Sequence, residues 1–184
     1  FLAAALVTGG TVTILGWPAS TPQPASQILD MFTAMGGTAE LTPDGLVASG
    51  TGAIRGITAD LSDVSEISPV LSALAALAGS PSVLTGIGHQ RLQETDRLAA
   101  LAHEINALGG DVTELADGLA IRPRPLRASG VFASHDDHRL VMAAAVLGLA
   151  VPGIEVANAA TVGKTFPAFT GLWADMLAAQ ESAP

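Results

Sequence analysis

The sequence predicts an α/β domain made of repeated units, with apolar helices buried at its centre and sheets outside. Two observations carry this. Met35-Gly36-Gly37-Thr38-Ala39-Glu40-Leu41-Thr42-Pro43-Asp44-Gly45-Leu46 and Leu108-Gly109-Gly110-Asp111-Val112-Thr113-Glu114-Leu115-Ala116-Asp117-Gly118-Leu119 share one pattern: Gly-Gly, a short strand, then Asp-Gly-Leu. The offset is 110 − 37 = 73 residues at one end and 117 − 44 = 73 at the other, and self-similarity at a fixed period marks a repeat architecture. In addition, three nearly all-apolar stretches, residues 1–7, 67–78 and 140–149, each run into glycine and a short strand. Helices that are apolar all round are buried.

In the first unit, a helix over 1–7 leads through Gly9-Gly10 into a strand over 11–15. In the second, a helix over 67–78 leads through Gly79 into a strand over 82–85. Leu98, Leu101, Ile105 and Leu108 then recur at spacings of three, four and three, the stripe of an amphipathic helix. Gly109-Gly110 closes that helix. Asp117-Gly118, between 112–115 and 119–121, marks a hairpin turn. In the third, the helix over 140–149 is followed by Pro152-Gly153 and a strand over 154–156. Each unit reads helix, strand, helix, strand, turn, strand, an α/β unit. The copies fall at about 1–56, 57–130 and 131–184 of a single domain, the first and last truncated.

Apolar residues make up 49% of the 184 and charged ones 14%, a globular composition long enough for one substantial core. The chain has no cysteine, which excludes disulfides, thiolate metal sites and cysteine nucleophiles and fits a reducing compartment. No uninterrupted apolar stretch reaches the roughly 18 residues of a membrane span. Residues 1–7 read as a helix interior rather than a signal peptide, so the chain is expected to be a fragment of a longer polypeptide. A net charge of −9 argues against a broad basic face for nucleic acid; a local cation cluster can still hold a small anion.

Because charged residues are scarce, their positions are informative. In Gln93-Glu94-Thr95-Asp96-Arg97, Thr95 is the expected N-cap and Arg97 lies in the first helical turn, where free N–H groups and the helix dipole favour anions. An arginine there opposes the dipole and needs a justification. Its planar fork suits phosphate or carboxylate; the plain alternative is a surface ion pair with Glu94 or Asp96. Ser134-His135-Asp136-Asp137-His138-Arg139 places a second cation before the helix over 140–149. Here a metal site on His135 and His138 competes, without a third-ligand motif, as does an Asp N-cap with solvated neighbours. Lys164, the only lysine, stands just ahead of Pro167, a favourable first helical residue. Glu66 opens the helix over 67–78, where alone it would only complement the dipole. Corresponding helix starts in repeated units gather at one end. Arg97, Arg139 and Lys164 are therefore expected to face one cleft beside Glu66 and Glu94, a combination suited to an anionic substrate and proton transfer.

Three motifs carry a resemblance. Gln93-Glu94-Thr95-Asp96-Arg97-Leu98 resembles the Lys-Glu-Thr-Asp-Arg-Leu motif of EPSP synthases, Asp137-His138-Arg139-Leu140-Val141-Met142 resembles their Asp-His-Arg-Met-Ala-Met, and Lys164-Thr165-Phe166-Pro167 matches their Lys-Thr-Phe-Pro. The resemblance covers essentially the whole chain. It implies βαβαββ units and transfer of the enolpyruvyl group of phosphoenolpyruvate to the 5-hydroxyl of shikimate 3-phosphate, a step toward chorismate and the aromatic amino acids. It implies no metal and no organic cofactor, and a cytoplasmic enzyme. By the same resemblance Arg97, Arg139 and Lys164 would bind phosphoenolpyruvate and Glu94 would protonate its methylene carbon. Glu66, at a position where the family has Asp, would contact the shikimate hydroxyls and act as base. His89 and Gln93 would contact shikimate 3-phosphate, Gln93 standing where many members have Lys. The family's N-terminal domain is the implied partner, and without it the fragment is expected to be inactive. Three rivals remain at this point: a UDP-N-acetylglucosamine enolpyruvyl transferase domain, a non-catalytic repeat domain for binding or assembly, and a metal hydrolase built on His135 and His138.

Overall fold

A computed structural model of the chain describes residues 1–181; residues 182–184, the end of the expected third copy, lie outside the described residues. The elements run α1 (Leu2–Thr8), β1 (Thr11–Leu15), α2 (Ala25–Ala34), β2 (Thr38–Thr42), β3 (Gly45–Ser49), β4 (Thr58–Asp60), α3 (Ser68–Ala76) and β5 (Ser82–Thr85). They continue with α4 (Arg97–Ala107), β6 (Asp111–Leu115), β7 (Gly118–Arg122), β8 (Val131–Phe132), α5 (His138–Gly148), β9 (Glu155–Val156) and α6 (Phe169–Glu181). Short 3-10 turns, Ser65–Ile67, Gly88–Leu92 and Ala159–Lys164, precede α3, α4 and α6. From β4 to β7 the order is βαβαββ; from α1 to β3 it is the same without the leading strand.

The first sheet has the order β1-β3-β2 and the second β4-β5-β7-β6. β5 meets β7 as β1 meets β3, antiparallel, and β4 adds a parallel edge beside β5. The two hairpins match as well: Thr42 pairs with Gly45 and Leu115 with Gly118. A Cβ on Gly45 would collide with the Ile14 carbonyl oxygen, and one on Gly118 with that of Leu84. The hairpin's second strand therefore starts hard against the neighbouring strand, which explains why Asp-Gly-Leu recurs. β8 and β9 form a small parallel pair.

α1, α3 and α5 pack on one another at the centre, with β3 and β7 laid against α1 and α3. Ala5, Ala73, Ala75 and Ala143 are fully enclosed, and such small side chains let helices and sheets approach closely at native packing density. Several boundaries differ from the expected ones. The helix over 140–149 starts two residues earlier, so His138 and Arg139 belong to its first turn. Glu66 lies in the 3-10 turn ahead of α3 rather than in the helix. Lys164 ends a 3-10 turn instead of preceding a helix at Pro167, because α6 begins only at Phe169.

Candidate active site

The starts of α3, α4 and α5 carry the charged side chains. At α4 the cap is Asp96 and not Thr95: Asp96 Oδ1 accepts from Ala99 N at 3.0 Å. A carboxylate satisfies a helix N-terminus by charge as well as by hydrogen bonding. Arg91 fixes this cap, its Nη1 lying 3.1 Å from Asp96 Oδ2 and 2.6 Å from Glu114 Oε2. Arg97 is the first residue of α4 and only 1% exposed. Its fork is satisfied on every side: Nε donates to Asp137 Oδ2 at 2.6 Å, Nη1 to Gln90 Oε1 at 2.6 Å, and Nη2 to Glu94 Oε2 at 2.7 Å. Glu66 Oε2 lies a further 3.5 Å from Nη1. These partners justify a cation at a helix start, where the dipole alone would oppose it.

Asp137 caps α5 and joins the helices. Its Oδ1 accepts from the Arg139 backbone N at 2.7 Å while Oδ2 takes Arg97, and it is itself fully buried. Arg139 turns toward α3: Nη1 donates to the Glu66 carbonyl oxygen at 3.1 Å, and Nε lies 2.5 Å from Glu66 Oε2, an ion pair without hydrogen-bond alignment. Lys164 arrives from the other side of the chain and places Nζ 3.3 Å from Glu94 Oε1. Val162 and Phe166, packed among Val141, Phe169 and Trp173, anchor the turn that carries it. The five expected charged residues, Glu66, Glu94, Arg97, Arg139 and Lys164, are thus brought into one network. With Asp137, three carboxylates balance three cations.

Within this network the cations close on the carboxylates. Arg97 is sealed beneath Glu94, whereas Lys164, 58% exposed, and Arg139, 31% exposed, form the accessible rim. Hydrogen bonding from its own backbone N–H, reinforced by Lys164 and the charge of Arg97, outweighs burial and holds the Glu94 carboxyl below its usual range. His138 lies beside Glu94, with Nδ1 3.8 Å from Oε1, yet neither ring nitrogen has a hydrogen-bond partner among the described residues. Burial, with the Arg139 charge second, pushes its imidazole below the usual range and keeps it neutral.

The remaining candidates divide. His89 sits at the edge of the network, its Nε2 3.0 Å from Ser65 Oγ and 3.5 Å from Gln90 Nε2. Gln93 is exposed. His135 turns away to Glu104, with Nε2 2.9 Å from Oε1, while His138 points at Glu94. Among the described residues no three His, Asp or Glu side chains gather as a metal site would require. Gln90 was not legible in the sequence as part of the site. It is fully buried, takes Arg97 Nη1, and reaches Glu66 Oε1 at 3.5 Å. It sits in a 3-10 turn with no periodicity or capping signal to single it out. Asp137 was visible only as a cap; its second role depends on Arg97, 40 residues away.

The family model for EPSP synthase (3-phosphoshikimate 1-carboxyvinyltransferase) matches residues 1–173. The chain belongs to the EPSP synthase family. It is 47% identical over 180 residues to the 3-phosphoshikimate 1-carboxyvinyltransferase of Kocuria rhizophila, covering 98% of this chain and 40% of that protein. The chain therefore spans about two fifths of the length of that curated relative. A solved EPSP synthase from Acinetobacter baumannii superposes with a TM-score of 0.79 at 27% identity, over 93% of this chain and 43% of the other. The enolpyruvyl transferase NikO from Streptomyces tendae superposes with a TM-score of 0.73 at 19% identity, over 95% and 40%, a likeness of fold alone. The fold is thus that of the enolpyruvyl transferases, and the family match favours EPSP synthase over the UDP-sugar rival. No described helix is long and apolar enough to cross a membrane.

Proposed function

We propose that this chain forms part of an enzyme that transfers the enolpyruvyl group from phosphoenolpyruvate to the 5-hydroxyl of shikimate 3-phosphate, releasing phosphate. The single observation that carries this reading is Glu94 clasped between Arg97 and Lys164. Phosphoenolpyruvate brings a phosphate and a carboxylate, and three cations, two of them in the first turns of helices, suit both. When the ligand engages Lys164 and Arg139, Glu94 loses part of the positive charge that holds its proton affinity down and gains an anionic neighbour. Its pKa then rises, so that it can deliver a proton to the methylene carbon while the hydroxyl oxygen of the acceptor adds to the adjacent carbon. Loss of phosphate and of a proton restores the double bond.

Glu66 acts as base and as ligand to the shikimate hydroxyls. Its side chain is half exposed, which opens it to a substrate; Arg139, the cation that lies closest to it, releases it on engaging phosphoenolpyruvate. His89 and Gln93 contact shikimate 3-phosphate, Gln93 through neutral hydrogen bonds where a lysine would add charge. No step needs a metal or an organic cofactor. Further substrate-binding groups come from the rest of a longer polypeptide, the family's N-terminal domain, and this chain alone does not turn over. Neither nucleic acid nor membrane takes part, and the reaction belongs to the cytoplasm.

The test is phosphate release by the full-length polypeptide that contains this chain, with shikimate 3-phosphate or UDP-N-acetylglucosamine as acceptor. Release only with shikimate 3-phosphate is expected, and none from the 184-residue chain by itself. Release with the UDP-sugar alone, or with neither acceptor, would contradict the reading.

A further inference from the structure

Helix α4 grips the segment 133–137 at two points. Arg97 and Glu104 stand seven residues apart on the buried face of α4, two turns and roughly 10 Å along the axis. Arg97 holds Asp137 at one end. At the other, Glu104 accepts the Ala133 backbone N–H at 3.0 Å through Oε2 and lies 2.9 Å from His135 Nε2 through Oε1. Between the two grips, His135 and Asp136 both adopt positive φ, 51° and 56°. Two consecutive left-handed residues with side chains are unfavourable and persist only when their surroundings hold them. Asp136 is held from the far side as well: Asn158 Nδ2 donates to its Oδ1 at 2.6 Å and Thr161 Oγ1 to its carbonyl at 3.3 Å. Glu104 is 6% exposed, and a buried carboxylate is costly unless its bonds do something the fold needs. It is hydrogen-bonded to none of Arg97, Arg139 and Lys164, so the charge network does not account for it.

We propose that Glu104 is a positioning residue for the anion site. It clamps the left-handed turn at His135–Asp136, so that Asp137 reaches both Arg97 Nε and the Arg139 N–H. Through Asp137 it fixes the orientation of the Arg97 guanidinium and the backbone at the start of α5 from which Arg139 extends. This rests on the reading of those arginines as phosphoenolpyruvate ligands.

Two readouts on the whole chain separate the claims: the side-chain Nε–H resonance of Arg97 by NMR, and the affinity for inorganic phosphate by titration. Glu104→Ala should move the Arg97 Nε–H signal toward that of a solvated arginine and weaken phosphate binding about ten- to a hundredfold. Glu104→Gln should restore both, because its amide oxygen still accepts from Ala133 and its NH2 can face the imidazole in its other tautomer. Asn106→Ala removes two bonds to Val112 from the same helix and should leave the Arg97 signal in place, which controls for general loosening of α4. If Glu104→Ala does not fold, His135→Ala removes one of the two bonds and should shift the signal part of the way. An Arg97 signal unmoved in the folded variant, or moved equally by Asn106→Ala, overturns the proposal. Should the wild-type chain bind no phosphate while the Arg97 signal responds as stated, the functional reading fails and the positioning role stands.

Discussion

Helices α2 and α4 occupy equivalent places in two sheets of matching topology, and they carry different things. At the 73-residue offset, Glu94, Asp96, Arg97 and Glu104 correspond to Thr21, Gln23, Pro24 and Met31. α2 starts without a side-chain cap and buries only Phe32. α4 starts on Asp96 and buries seven residues, Arg97 and Glu104 among them. Yet both helices end in a glycine pair, feed a hairpin of the same register, and meet the neighbouring strand through the same glycine-to-carbonyl contact. The scaffold is thus specified by turn glycines and an apolar stripe, and the chemistry by a handful of polar positions around the start of one helix. This is how one fold accommodates a site in one unit and none at the equivalent place in another.

The sharpest way to break this comparison is at its centre. Arg97→Ala leaves Asp137 buried without its cation and should cost about 3–5 kcal/mol of stability. Pro24→Ala, its counterpart, should cost less than about 1 kcal/mol. Urea unfolding of both variants measures the contrast, and equal losses would show that the two helix starts do the same work. Next comes the carboxylate. Glu94→Gln in the full-length polypeptide should lower kcat by about 10² to 10⁴ while Thr21→Gln leaves it unchanged, as read by phosphate release.

A smaller effect follows from acid. Glu94 has its folded pKa depressed, so its stabilising contribution is present above the unfolded value of about 4.3 and is lost as pH falls through the folded value. His138 is also depressed. Protonation therefore favours the unfolded chain below about pH 6.5, and stability declines as pH falls toward the folded value. Melting temperatures between pH 7.5 and 3 should show two declines. His138→Gln should remove the upper one and Glu94→Gln should reduce the lower. An upper decline that survives in His138→Gln would mean that another group is responsible. The smallest expected change is at exposed Gln93: Gln93→Lys should alter shikimate 3-phosphate affinity severalfold by calorimetry, without changing stability.

What could be read from the sequence was what local chemistry dictates. The strands over 11–15 and 82–85, the hairpin at Asp117-Gly118 and the stripe of α4 are fixed by turn residues and periodicity, and they lie where those signals put them. β4 gave no such signal. It is three residues long, and only its parallel pairing with β5 makes it a strand. The cap of α4 fell on Asp96 and not Thr95 because both can cap and only the surrounding fold, with Arg91 on the far carboxylate oxygen, decides between them. In the site, scarcity of charge made Glu66, Glu94, Arg97, Arg139 and Lys164 conspicuous. Gln90 and Glu104 were not, because a neutral amide in a short turn and a carboxylate inside a helix look like surface residues until their buried partners are known. Nor does the sequence reveal that the cations rest on carboxylates, which is a property of side chains drawn from four separated segments.

Titration of the wild-type chain with phosphoenolpyruvate, followed by NMR of the arginine and lysine side-chain nitrogens, tests most directly whether these carboxylates give way to a substrate anion. Arg97, Arg139 and Lys164 should shift together along one saturating curve, with the Glu94 carboxyl gaining proton affinity as they do. Independent, non-saturating shifts, or a response confined to other arginines, would contradict it.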